Sequence, residues 1–246
     1  MNIFTKILLF CICIVPFLPA SAQFNDSINY HLRFITTGSL NRTTDGDAYL
    51  LNNGIGFSIN KRKVTLNTNA GWVWGQLNNT LTNNDFIATA DMDFLKKVSK
   101  LYYWGLLNFE SSYSLKTKYR FQPGAGAGYR FIDTTDALFT VSDGILIETA
   151  ELTDASFGSE KYQTIRNSLR VKYHFLIGKV ITIDGVNLWQ PSLLSFKDYI
   201  LKFNNSLSFR LRQWLSLTSA ISFNRISSTD SQNLLFTFGI TLDKYF

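Results

Sequence analysis

From Ser27 onward, hydrophobic and polar positions alternate with a period of two, which predicts half-buried strands and not helices. In the last segment Leu234, Phe236, Phe238, Ile240 and Leu242 share one face, and Leu235, Thr237, Gly239, Thr241 and Asp243 share the other. Farther upstream, Ile165, Leu169, Val171, Tyr173, Phe175 and Ile177 oppose Arg166, Ser168, Arg170, Lys172 and His174. A third example sets Val64, Leu66, Ala70, Trp72 and Trp74 against Thr65, Asn67, Asn69 and Gly71. One face of each strand must therefore meet an apolar phase and the other a polar one.

Twelve such segments follow one another: 27–38, 48–59, 64–75, 85–95, 101–112, 118–132, 137–150, 162–177, 180–190, 199–209, 214–226 and 234–246. All are longer than the ordinary strand of about 5 to 6 residues. Their connections alternate between short (60–63, 96–100, 133–136, 178–179, 210–213) and longer (39–47, 76–84, 113–117, 151–161, 191–198, 227–233), and the longer set is rich in Asn, Ser, Thr and Asp. An even number of long amphipathic strands with this alternation predicts an all-β protein, a transmembrane antiparallel β-barrel of about 12 strands with both termini periplasmic. Lipid offers no partner to an unpaired backbone, so such a sheet must close on itself. A secreted soluble sandwich or lipocalin-like barrel is the competing architecture. The aromatics near strand ends (Trp72, Trp74, Tyr199, Trp214, Phe246) fit an interfacial girdle better than a core.

The first 22 residues break the rhythm. Lys6 precedes the apolar stretch from Ile7 to Leu18, and Ala20-Ser21-Ala22 forms a small-x-small cleavage signal before Gln23. The reading is a cleavable signal peptide at 1–22 and a barrel domain at 23–246, exported by the Sec pathway. Both cysteines, Cys11 and Cys13, fall in the leader, so the mature chain has no disulfide, thiol nucleophile or cysteine metal site. At the other end, the alternating strand from Phe236 closes on Phe246. It looks like the signal strand by which bacterial barrels are handed to the barrel assembly machinery, with Phe246 the assembly signal.

Composition adds two exclusions. Across 246 residues the net charge is +6, but the longest basic run is Lys61-Arg62-Lys63, so a nucleic-acid partner, which needs clustered cations, is not expected. After residue 22 no run reaches about 18 apolar residues, which excludes a helical span of the mature chain.

The middle of the chain carries a resemblance. Phe121-Gln-Pro-Gly124-Ala-Gly126-Ala-Gly128-Tyr129-Arg130-Phe131-Ile132-Asp133-Thr134 resembles the YdiY-like, salt-induced outer-membrane protein family, whose domain has no settled function. That family has a Gly-rich strand ending Gly-Tyr-Arg-Phe-Ile-Asp-Thr, a tight turn and a second strand. The distinctive match covers about 30 residues, and Asp143-Gly144 stands where a Glu-Ala-Gly type of sequence is expected. The resemblance implies the fold and an outer-membrane location in a Gram-negative bacterium, with no activity attached.

Read physically, Gly124, Gly126 and Gly128 strip one inward wall of side chains. A long side chain from a neighbouring strand can fill that space, or the stripe can permit bending; a smooth wall lining a conduit is the alternative.

Parity points Arg33, Arg120, Arg130, Arg166, Arg170, Lys172, Lys202 and His174 into the lumen with Asp91, Asp93, Glu110, Asp184 and Asp243. The seventh and ninth segments break phase near Gly144 and Gly185. Mixed charge in a confined space forms either a rigid plug of ion pairs or a screened pore whose arginine excess favours anions. The two histidines, His31 and His174, lie in cationic surroundings that suit a metal poorly, so neither a metal nor another cofactor is expected. A lipid hydrolase on a twelve-stranded barrel needs lipid-facing active groups. Here Tyr173 and Phe175, not His174, take the lipid side, and no Gly-x-Ser-x-Gly element occurs. No catalytic residue is therefore assigned. The outer loops at 152–160 and 189–196 mix apolar and polar residues and could contact lipopolysaccharide.

The expected function is a non-enzymatic outer-membrane barrel with outer-membrane lipids and lipopolysaccharide as surroundings, in the first reading a narrow channel for ions or small solutes. A closed structural or recognition barrel is the second reading, and a membrane-embedded lipid hydrolase the third.

Overall fold

The structure is a computed structural model, and it describes residues 29–42, 46–61, 64–95, 100–154 and 158–246. The leader at 1–22 and its two cysteines lie outside the described residues. Thirteen strands follow in chain order: β1 (Tyr30–Arg42), β2 (Asp47–Lys61), β3 (Val64–Leu77), β4 (Thr80–Leu95), β5 (Leu101–Ser112), β6 (Thr117–Asp133), β7 (Ala137–Asp154), β8 (Gly158–Asn167), β9 (Leu169–Ile177), β10 (Ile181–Pro191), β11 (Tyr199–Arg212), β12 (Leu215–Ile226) and β13 (Ser231–Tyr245).

They make twelve staves, because β8 and β9 are halves of one strand interrupted at Ser168, and both pair with β7. Every stave is antiparallel to its neighbours in sequence, and β13 pairs with β1 to close the barrel. Closure places the two ends of the wall side by side: Tyr30 and Phe246 exchange backbone hydrogen bonds of 2.9 and 3.0 Å, and their rings stack at 5.7 Å. This pair marks the terminal end of the barrel, and the opposite end is the distal one.

Alternation decides the faces as expected. Leu51, Ile55, Trp72, Ile147, Phe236 and Phe238 are among the large apolar side chains exposed on the outer surface. The inner positions Thr37, Thr140, Glu148, Thr218, Thr237 and Thr241 are polar and buried. The phase breaks expected at Gly144 and Gly185 do not occur, because the ladder register runs unbroken through both glycines. Along β7, Ser142, Gly144, Leu146, Glu148 and Ala150 all point inward, and on β10 Asp184 does. Gly185 faces outward beneath the Tyr173 ring, where an added Cβ would stand 2.6 Å from Tyr173 Cε1. The register shifts fall elsewhere, at Gly75/Gln76, Glu110/Ser112, Thr117/Tyr119, Arg130/Ile132 and Arg210/Arg212. A bulge flips the faces beyond it, which is why Lys118 stands 62% exposed while Arg120 is wholly buried.

The alternation of connection lengths is weaker than the sequence suggested. Residues 76–84 are not a long loop: β3 and β4 run on to a two-residue turn at Asn78-Asn79, with φ of 50° and 61°. Positive φ at both central positions makes the mirror-image turn that suits strand twist, and asparagine tolerates it. The turn at Gly178-Lys179, expected to be short, has the same form with φ of 58° and 62°. Polar composition at 39–42, 80–84 and 151–154 therefore marks continued wall, not loop, because the sheet's own hydrogen bonds satisfy the backbone there.

Candidate functional site

The lumen divides lengthwise into a filled side and an open side. On the filled side, the glycines of β6 and β7 leave room that β5 occupies. Register sets Tyr102 opposite Gly128 and Trp104 opposite Gly126, and both rings are buried with Leu146 in one apolar cluster inside the barrel. A Cβ at Gly126 or Gly144 would stand 2.6 or 2.5 Å from Trp104 Cζ2, and one at Gly128 2.6 Å from Tyr102 Cε1. Of the two uses foreseen for the glycine stripe, the structure shows the packed one.

Charged groups build outward from this cluster. Arg170 lies 4.8 Å over the Trp104 ring and donates to Asp91 at 2.7 Å, while Lys172 donates to the other oxygen of Asp91 at 2.6 Å. Arg130 lies 5.5 Å over Tyr102 and bridges to Asp133 in its own turn at 2.6 Å. Asp93 follows Asp91 along the same face. Toward the distal end, Arg166 is fully buried and binds Glu148 through two nitrogens at 2.9 Å each and Asp198 at 2.9 Å. Glu148 also accepts from Gln122 and from Tyr162. Arg120 reaches Glu110 at 3.2 Å and Glu148 at 3.5 Å. Buried charges persist where partners and hydrogen bonds offset lost hydration, and in this network each arginine touches at least one carboxylate.

The open side is a cavity of about 360 Å³ between β2–β5 and β10–β13. Its wall carries short polar side chains, including Asn52, Asn204, Ser206, Ser222, Asn224 and Asn233. Lys202 and Glu110, joined at 2.7 Å, line it as well.

Each end of the cavity is crossed by side-chain contacts. At the terminal end Arg33 reaches Asp243 at 2.9 Å and Asp184 at 3.6 Å, with His31 bound to Asp243 at 2.8 Å and His174 to Asp184 at 2.7 Å. At the distal end the β5–β6 turn folds inward. Leu115 is buried against Ile200 and Ile226, its carbonyl accepts from Thr229, and Asn233 donates to Ser114 at 3.0 Å. Asp85 anchors that turn by accepting from Ser112 and from Ser114 at 2.7–3.0 Å.

The charged candidates thus face the lumen in distinct groups: Arg170 and Lys172 on Asp91, with Asp93 two residues along; Glu110, Arg120 and Arg166, joined through Glu148; Arg33 linked to His174 through Asp184; and Arg130, bridged to Asp133. Sequence reasoning missed Glu148, whose parity follows once β7 keeps phase through Gly144. It missed Tyr102 and Trp104, since both faces of β5 are apolar there; the facing glycines were the available signal. Asp198 and Leu115 had no periodic signal, because both sit in turns.

A closed antiparallel barrel with an apolar exterior and a polar, charged interior is an outer-membrane β-barrel in its fold. Within that class, the chain belongs to the family described as "Protein of unknown function, DUF481", whose model matches residues 44–242. A comparison with curated proteins gives no match. Among solved structures, the NanC porin is similar over 88% of this chain and 99% of its own, at 10% identity and a TM-score of 0.52. An outer-membrane channel from Pseudomonas putida F1 is similar over 94% of this chain and 100% of its own, at 9% identity and a TM-score of 0.50.

Proposed function

We propose that the protein is a non-enzymatic barrel of the Gram-negative outer membrane, forming a narrow channel for ions or small solutes. The observation that carries this reading is the cavity of about 360 Å³, kept open by short side chains on one half of a lumen whose other half is filled. The solved barrels of like fold that are named as a porin and a channel agree with it. In this reading the leader at 1–22 directs Sec export, the assembly machinery receives the C-terminal strand, and the terminal end faces the periplasm. The apolar exterior then meets outer-membrane lipid, and the distal rim meets lipopolysaccharide. His31 and His174 each engage a carboxylate inside the lumen, away from any lipid substrate. Phospholipid turnover by the purified barrel that His174→Ala abolishes would overturn the non-enzymatic assignment.

The cross-lumen contacts at both ends favour a second reading, a closed structural or recognition barrel. Single-channel recording of the refolded chain in a planar bilayer separates the two. Discrete conductance steps are expected. A silent bilayer, with folding verified by heat-modifiable migration on a gel, establishes the closed barrel instead.

A further inference from the structure

Building on the channel reading, we infer that the open half of the lumen selects for cations, so that its solutes are small and positively charged, against the anion preference that the arginine count suggests. Arg120, Arg130, Arg166 and Arg170 lie on the filled side and are neutralised there. Arg120, Arg166 and Lys202 are set among Glu110, Glu148 and Asp198, three bases to three acids. Arg170 and Lys172 bind Asp91, with Asp93 two residues along, and Arg130 is bridged to Asp133. Opposite charges at such separations cancel most of each other's field a few ångströms away.

What remains uncompensated is negative and lies at the distal mouth. Asp85 lines the distal mouth, holds only hydroxyl, amide and backbone donors (Ser112, Ser114 and Asn83), and has no ion-pair partner among the described residues. At the opposite end Asp184 and Asp243 are held by Arg33, His174 and His31, with Arg210 near Tyr245 beside them, so that end adds little net charge. Between the two ends, the oxygens of Asn52, Asn204, Ser206, Ser222, Asn224 and Asn233 replace part of a cation's hydration shell. An unpaired carboxylate at the mouth of a low-dielectric conduit raises the local concentration of cations and repels anions.

The test is the reversal potential of the reconstituted full-length barrel across a potassium chloride gradient, at about pH 8, above the ordinary imidazole range. Potassium is expected to permeate several-fold better than chloride. Asp85→Asn, which keeps an acceptor oxygen but removes the charge, moves the ratio toward unity. Asn224→Asp, nearly isosteric and placed on the cavity wall, raises it and keeps the test decisive should Asp85→Asn fail to fold. Conductance steps that prefer chloride, or a ratio that neither substitution moves, overturn the inference and leave the channel standing. Silence from folded protein overturns the channel reading itself.

Discussion

Lys202 on β11 donates a 2.7 Å hydrogen bond to Glu110 on β5, tying nearly opposite walls of the barrel through residues 92 positions apart. Both side chains are about nine-tenths buried, and the pair stands as a strut between the filled and open halves of the lumen.

Removing Lys202 leaves Glu110 with Arg120, whereas removing the charge of Glu110 leaves the Lys202 ammonium without a carboxylate in the interior. Glu110→Gln is expected to destabilise the barrel by about 3–5 kcal/mol, the usual consequence of removing one partner of a buried pair. Adding Lys202→Met should recover part of the loss. Urea unfolding in lipid vesicles, followed by tryptophan fluorescence, measures both.

The glycine wall gives a contrast between two neighbours. At Gly128 an added methyl meets the Tyr102 ring, which a second change can remove, so Gly128→Ala should impair folding and Tyr102→Ala should restore it. At Gly126 the added Cβ also strikes the backbone carbonyl of Asp143, which no side-chain change moves. Trp104→Ala should therefore fail to rescue Gly126→Ala. The fraction of heat-modifiable barrel on a gel reports each variant, and rescue at Gly126 would refute this account of the wall.

The inward turn at the distal end should govern access to the cavity. With Cys11 and Cys13 confined to the first 22 residues, a cysteine placed at Ser206 would be the mature chain's sole thiol under the expected cleavage. Leu115→Ser removes the apolar contact with Ile200 and Ile226, and labelling of that thiol by a membrane-impermeant reagent should accelerate several-fold. Unchanged labelling means that the turn does not obstruct entry.

Phe246 stacks on Tyr30 where the sheet closes, and the two backbones pair there. Phe246→Ala should slow assembly in cells more than it lowers the stability of barrel already folded, because the ring is 53% exposed and contributes little to the interior. Pulse-chase folding against urea stability separates the two effects; equal losses in both would assign the residue a purely structural part.

How much of this was legible in the chain follows from how far each interaction reaches. Alternation between nearest neighbours is local, so the sequence by itself determined an all-β barrel of twelve staves and placed Arg33, Asp91, Glu110, Arg120, Arg166, Arg170 and Lys172 on its inner face. It even located the β5 strand, Leu101–Ser112, to the residue. Composition misled at 76–84, since polar residues continue a wall wherever water, and not lipid, covers it. Only the tertiary structure decided which inward side chains meet. Asp91 finds Arg170 and Lys172 after 79 and 81 residues, and Glu110 finds Lys202 after 92, through the curvature and stagger of a closed sheet that no single strand encodes. The same closure put the bulky residues of β5 over the glycines of β6 and β7 and left the Asn- and Ser-lined half open. Parity is a property of one strand, whereas the partition of a lumen into plug and cavity belongs to all twelve staves at once.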